Sequence, residues 1–254
     1  MACITLLSDF GLHDPSAAIV KGVFMQYTAT PMVDISHEVK PFHARQAAYL
    51  LSVAYNSFPT GTCHVLLFDL FSETKPRVIL SEHDGHYFLS PDNGLLSLAL
   101  DKAPAHSWLC YELQPGETFQ HWLHAAGKVL QQLGTQVDLP AYQPRTITQG
   151  APVVTPNEIR CDVIHIDQYE NVVVNITKEQ FSSLVGRRPF SIQFVRVEEI
   201  NEISTSYTSV RDGYKLARFN SNGYLEICIN RGKAASLFGL RLGSKFNDIK
   251  ITFE

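Results

Sequence analysis

The chain has 254 residues, 45% hydrophobic and 18% charged, with a formal net charge of −4. That is the make-up of a soluble globular protein long enough for one large domain or two modest ones, and two is the better fit. The negative balance gives no general attraction to nucleic acid or anionic lipid, so the expected partner is a small molecule.

In the first half, apolar runs alternate with amphipathic segments: 4–7 then 17–27, 32–35 then 45–57, 64–68 then 77–80. This alternation predicts βαβ units and an α/β domain with a doubly wound, mostly parallel sheet. Over 44–57, Ala47, Ala48, Leu51 and Ala54 share one helical face, and small residues there let a helix lie close on a sheet; Phe58-Pro59-Thr60-Gly61 ends it. A further helix is predicted over 119–133. Pro140, Pro144, Pro152 and Pro156, with the aperiodic Thr146-Ile147-Thr148, then predict a linker at 141–157 between domains at 1–140 and 158–254. Beyond it, short β-branched runs at 163–166, 172–176, 191–197 and 224–229 with Gly or Asn turns predict a smaller all-β domain, barrel-like or a sandwich.

No stretch approaches the roughly 20 apolar residues that cross a bilayer. The apolar run at 4–7 is broken at once by Ser8 and Asp9, unlike a secretory leader. Cys3, Cys63, Cys110, Cys161 and Cys228 are odd in number, scattered and never spaced CxxC. They read as buried thiols in a reducing cytoplasm rather than a disulfide framework or zinc site.

Asp9, Asp34 and Asp69 each close an apolar run in the first half. In an open α/β sheet the crevice beyond the carboxyl ends of the strands is where ligands bind. A single such Asp is usually a cap for the next turn, but three together point to a ligand. The chain lacks both GxxxxGK[ST] and GxGxxG, so a nucleotide held by its phosphates is not supported. A phosphate-free nucleoside fits better, because a carboxylate can accept from two ribose hydroxyls, and carboxylates or aromatic faces attract a sulfonium or ammonium cation.

At Thr5-Leu-Leu-Ser-Asp-Phe-Gly11 the sequence resembles the opening motif of the S-adenosyl-L-methionine hydroxide adenosyltransferases, relatives of the S-adenosyl-L-methionine fluorinases and chlorinases. Further matches follow in order: Asp14 with Lys21-Gly22, Val33-Asp-Ile-Ser-His37, Ala47-Ala48, Phe58-Pro-Thr-Gly-Thr-Cys-His64, Pro91-Asp-Asn-Gly-Leu-Leu96, Thr118-Phe119, His165-Ile-Asp-Gln-Tyr-Glu-Asn171, Ser221-Asn-Gly-Tyr-Leu-Glu226 and Asn230-Arg-Gly232. The resemblance implies a homotrimer with active sites between subunits and S-adenosyl-L-methionine as substrate, with no further cofactor and no metal. It implies that Asp9 holds the ribose hydroxyls, that Phe42 and Tyr169 flank the ligand, and that Asn93, Asp167, Asn171, Tyr207, Ser221 and Asn230 belong to the binding site.

In the hydrolytic relatives an Asp, an Arg and a His surround the attacking water, and the Asp matches Asp69. The family's Asp-Pro-Gly-Val-Gly-Thr-x-Arg-Arg appears here as Asp69-Leu-Phe-Ser-Glu-Thr-Lys-Pro-Arg77, so Pro76 takes the usual Arg position and either Arg77 or Lys75 would have to supply the cation. Gln120 takes the His position, with His121 one residue later. The expected reaction is hydrolysis of S-adenosyl-L-methionine to adenosine and L-methionine, with Asp69, Arg77 and His121 as the expected catalytic set. A binding protein for adenosine or S-adenosyl-L-methionine without turnover is the alternative. Halide transfer, for which Ser72 and His121 fall where halide contacts occur in halogenating relatives, is a third.

Overall fold

The computed structural model describes residues 1–133, 139–147, 150–195, 198–244 and 247–254. Chain contacts divide it into two units, Met1–Gln149 and Gly150–Glu254.

The first unit runs β1 (Ile4–Ser8), α1 (Ser16–Phe24), β2 (Met32–Ser36), α2 (Ala44–Ala54), β3 (Cys63–Leu67), β4 (Arg77–His83), β5 (His86–Pro91), α3 (Leu95–Ala99), β6 (His106–Glu112) and α4 (Phe119–Gln132). Its strands form one sheet in the order β2-β1-β3-β5-β4-β6. The first four in that order are parallel, as the alternation predicts. Residues 77–80, expected as an amphipathic segment, instead open strand β4, antiparallel to both β5 and β6. The reason is the Asp84-Gly85 turn, with φ of 47° and 75°, the backbone a tight hairpin requires. The sheet is therefore mixed.

Strand β3 is buried along its whole length. Cys63, Val65 and Leu67 pack with Val20, Phe24 and Trp122 from α1 and α4. Leu66 and the following Phe68 pack with Ala47, Leu51 and Leu96 from α2 and α3. Helices thus cover both faces, which is why the central strands read as continuous apolar runs rather than alternating ones.

Part of the expected linker is no linker. Residues 139–147 form a strap on the first unit: Leu109 N–H donates to Pro140 O (3.1 Å), Tyr142 N–H to Ser107 O (2.8 Å) and Ile147 N–H to Ser97 Oγ (2.8 Å). Thr148, in the same stretch, lies outside the described residues.

The second unit comprises β7 (Val153–Val154), β8 (Glu158–Cys161), β9 (Val163–Ile166), β10 (Val172–Thr177), α5 (Lys178–Leu184), β11 (Phe190–Phe194), β12 (Glu199–Ile200), β13 (Lys215–Phe219), β14 (Tyr224–Ile229), α6 (Ala234–Phe238) and β15 (Ile249–Phe253). Among the described residues there is no closed barrel but two sheets, β13-β14-β10-β9 and β12-β11-β15-β8-β7, sharing one core. Nor is the unit all-β. Helix α5 starts on a capping box, Thr177 with Gln180, which outweighs the β-branched run before it. The run expected over 191–197 is regular only to Phe194; Val195 turns to φ 68°, and residues 196–197 lie outside the described part. All five cysteines are free, three of them buried, and no described helix is long and apolar enough to cross a membrane.

At the amino ends of the parallel strands sits a buried histidine pair. His64 Nδ1 lies 2.7 Å from Thr5 Oγ1, and His64 Nε2 lies 3.1 Å from His86 Nδ1. Burial, helped by the charge His86 would carry, pushes His64 down to about 3, and burial lowers His86 as well. A histidine depressed in the folded state stabilises the fold above its unfolded value of about 6.5, and that contribution is lost as pH falls towards the folded value. Urea unfolding should therefore show stability declining below about pH 6.5, by up to about 1.4 kcal/mol per pH unit for His64. His64→Gln, which can still bond Thr5, should flatten this limb; an unchanged slope would assign it to other groups.

Candidate active site

Because β1 and β3 are parallel neighbours with Ser8 opposite Leu67, the chain leaves both strands at the same edge, carrying Asp9 and Asp69 side by side. The Asp69 N–H points at Asp9 Oδ2 (3.4 Å). Asp69 itself has φ 47°, a backbone conformation uncommon for a non-glycine residue and frequent at functional sites. Asn93 fixes this corner: its Nδ2 donates to Phe68 O (2.8 Å) while its Oδ1 accepts from Leu95 N–H (3.1 Å). Burial raises the Asp9 carboxyl above the usual carboxylate range, against the lowering effect of the Asp69 N–H, and the charge of Asp69 adds to the rise.

The third strand-end aspartate does something else. Asp34 lies inside β2, bound to Lys21 Nζ (2.6 Å) and His37 Nε2 (3.1 Å). Burial alone would raise it, but those two partners draw it below the normal range. It is a clamp between α1, β2 and the turn after β2.

Phe42 is 84% exposed at φ 64°, a strained and largely bare aromatic. Leu12 and Phe71, which sequence reasoning did not single out, are exposed too. The three stand in the segments that follow β2, β1 and β3 respectively, so an apolar rim borders the carboxyl edge where Asp9 and Asp69 lie.

The expected companions of Asp69 are engaged elsewhere. Arg77 Nε donates to Glu112 Oε2 (2.8 Å), and its Nη1 lies 3.9 Å from Asp92. Lys75 Nζ is 3.9 Å from the same Glu112. His121 is the third residue of α4, where its Nδ1 accepts from Thr118 N–H (3.1 Å) as half of a capping box. Ser72 lines a small hollow with Leu70, Glu73, Pro76 and Asp92, of about 10 Å³, room for roughly one water.

In the second unit, Tyr169, Asn171, Tyr207 and Asn230 come together, with Gln168 and Arg231, around a hollow of about 660 Å³. That lies within the range of small-molecule sites. Asp167 builds it rather than lining it. Its Oδ1 accepts from the Tyr169 and Asn171 N–H groups (2.9 and 2.8 Å), and its Oδ2 from Asn171 Nδ2 (2.9 Å). Asn230 Nδ2 donates to Val210 O (2.9 Å), tying the end of β14 to the segment after Tyr207. The Tyr207 hydroxyl donates to buried Glu226 (2.9 Å), which also accepts from Arg218 Nη1 (2.8 Å), and the Arg218 guanidinium lies 4.5 Å from the centre of the Tyr207 ring. Burial first, then Glu226, pushes the Tyr207 phenol up to about 12, so it stays a donor at any ordinary pH.

Ser221 is not brought into this hollow. It lies in the β13–β14 turn, and the six residues of β14 place it roughly 20 Å along the strand from Asn230. Glu226 of β14 and Arg218, opposite it on β13, are not legible as site-building residues because a charged residue on a β-strand reads as part of a solvated face until burial is known.

Residues 4–126 match the family model for the S-adenosyl-L-methionine hydroxide adenosyltransferase N-terminal domain, and residues 161–247 match that for the C-terminal domain. The chain belongs to this family. Among curated relatives, the (R)-S-adenosyl-L-methionine hydrolase of Methanocaldococcus jannaschii is 26% identical over 93% of this chain and 92% of its own. Those of Thermus thermophilus (27%, over 96% and 98%) and Salinispora tropica (28%, over 95% and 95%) are similar over comparable lengths. The same fold occurs in solved structures of an uncharacterized conserved protein from Thermotoga maritima and a conserved hypothetical protein from Thermus thermophilus. The first has TM-score 0.81 and 23% identity over 98% of this chain and 99% of that one. The second has TM-score 0.74 and 24% identity over 100% of both chains.

A carboxyl raised by burial favours folding when protonated, and that benefit is lost as pH rises through its folded value, so at neutral pH the Asp9 charge works against the fold. Asp9→Asn, which keeps an acceptor for the Asp69 N–H, should raise the melting temperature at pH 7 by about 2–4 °C. The gain should vanish in acid, where Asp9 is already neutral. A lower melting temperature at pH 7 would show that the charge is compensated.

Proposed function

We propose that this chain hydrolyses S-adenosyl-L-methionine to adenosine and L-methionine. The observation that carries this reading is the match of both halves of the chain to one family, relatives of which, aligned end to end, are named (R)-S-adenosyl-L-methionine hydrolases. The paired aspartates and the hollow lined by Tyr169, Asn171, Tyr207 and Asn230 support it.

In this reading the oxygen of water attacks the ribose C5′ in line with the C5′–S bond. As the C–O bond forms, C5′–S breaks and its electron pair stays on sulfur as the methionine thioether; the water proton leaves to Asp69 and then to solvent. The sulfonium is already an activated leaving group, so the step calls for no metal or redox cofactor, and its demands are alignment and a dry site. Asp69 holds the water and accepts its proton. Asp9 accepts from the ribose hydroxyls, a role suited to a half-buried carboxylate whose poor hydration those donors would relieve. Tyr169 and Tyr207 offer aromatic faces for the base, with Asn171 and Asn230 beside them.

Arg77 and His121 are assigned here to holding the loop and capping α4, because Arg77 Nε is bonded to Glu112 and His121 Nδ1 accepts from the Thr118 N–H. The exposed rim of Leu12, Phe42 and Phe71 supports a homotrimer in which a neighbouring subunit covers this edge.

Incubation with S-adenosyl-L-methionine in ¹⁸O-labelled water should yield adenosine labelled at the 5′ oxygen. Asp69→Asn should lower kcat by about 100-fold or more, the usual weight of a proton-accepting group, while KM changes little. No adenosine from the unaltered protein would refute the hydrolase assignment, and binding without turnover would replace it with a binding function.

A further inference from the structure

We propose that Tyr142 and Arg145, carried on the 139–147 strap, are positioning residues for the loop that bears Asp69; their effect on turnover rests on the hydrolase reading above. The loop from Phe68 to Pro76 has no regular structure of its own, so its shape is set by what grips it. One grip is Asn93, holding the carbonyl of Phe68 immediately before Asp69. The residue before Asn93 is Asp92, whose side chain is only 8% exposed and is held from two sides. From the strap, the Tyr142 hydroxyl donates to its Oδ2 (2.6 Å) and the Arg145 N–H to its Oδ1 (2.7 Å). From β4, the Arg77 guanidinium approaches Oδ2 at 3.9 Å. The Arg145 guanidinium then reaches out to pair with Glu73, in the middle of the Asp69 loop. Strap, Asp92-Asn93 turn and loop are thus one connected set of polar contacts.

The strap is itself anchored. Besides its main-chain bonds to β6, Ile147 lies over Gly94, where a Cβ would come within 2.5 Å of Ile147 Cγ1. Gly94, at φ 83°, therefore admits both the turn and the strap across it. A segment of Pro-rich, unpatterned sequence that is fastened at Ser97, Ser107 and Leu109, and whose side chains converge on the turn gripping Phe68, fits a brace better than a spacer.

Magnitudes rank the two residues. Tyr142 makes a charge-assisted bond to a buried carboxylate, whereas the Arg145–Glu73 pair is half exposed and worth less. Tyr142→Phe should lower kcat about 10-fold and Arg145→Met about 3-fold, each with KM within about 2-fold, since the substrate-binding groups are untouched. Arg145→Lys should restore most of the loss. Gln143→Ala, an exposed position on the same strap, should behave as the unaltered protein. Amide hydrogen exchange across residues 68–76 should speed up in Tyr142→Phe and Arg145→Met but not in Gln143→Ala. Unchanged exchange across this loop, or a rise in KM with kcat retained, overturns the proposal. If the unaltered protein shows no turnover, the hydrolase reading fails on its own, and the exchange experiment still decides the brace: faster exchange upholds it and unchanged exchange overturns it.

Discussion

The parallel pairing of β1 with β3 is the constraint from which the rest of the first unit follows. It places two aspartates at one edge of the sheet, with the main chain of one hydrogen-bonded to the side chain of the other. Two carboxylates so close, one of them half out of water, do not stabilise a fold; they are tolerated where they serve a ligand. Nearby polar groups can be read as responses to that placement. Asn93 holds the corner, Asp92 is held by Tyr142 and Arg145, and Asp69 beside them has φ 47°.

Several side chains that look chemical in the sequence serve as fasteners. His121 caps a helix, Arg77 joins Glu112, Asp34 joins Lys21 and His37, and Asp167 folds the turn that presents Tyr169 and Asn171. In each case a charged or hydrogen-bonding group near the start or end of an element finds backbone or side-chain partners close by, and satisfying them is worth more than leaving them free. Asp9 and Asp69 differ because, among the described residues, the contact that joins them, Asp69 N–H to Asp9 Oδ2, spends little of their accepting capacity.

Strands β1, β2 and β3, helices α1, α2 and α4, and the pairing of Asp9 with Asp69 at one edge are legible because they depend on periodicity and on the order of strands along the chain, whereas β5, β6 and the short α3 are not. The 77–83 strand was misread since its Arg77-to-Leu80 opening lacks an obvious alternation, although the Asp84-Gly85 turn was there to be seen. The strap was misread for a deeper reason. Prolines and missing periodicity mark the absence of regular structure, and that is equally true of a free linker and of a segment held by Ser97, Ser107 and Asp92. Ser221 shows the limit of carrying positions over from a family: matching residues need not share a hollow within one chain.

The sheet also divides its labour between its two ends. At the carboxyl edge stand Asp9, Asp69 and the bare Leu12, Phe42 and Phe71, all poorly satisfied by the unit itself. At the amino edge of the sheet, Thr5 of β1, His64 of β3 and His86 of β5 form a buried chain with Tyr55 and Phe88 packed on it. The amino edge spends its hydrogen bonds internally and makes the fold depend on neutral histidines. The carboxyl edge leaves acceptors and apolar surface open. A strained, half-desolvated site is sustainable because the strands that carry it are locked together at their other end, and binding a polyhydroxylated, cationic molecule at the open edge would supply the donors and the positive charge that the aspartates lack.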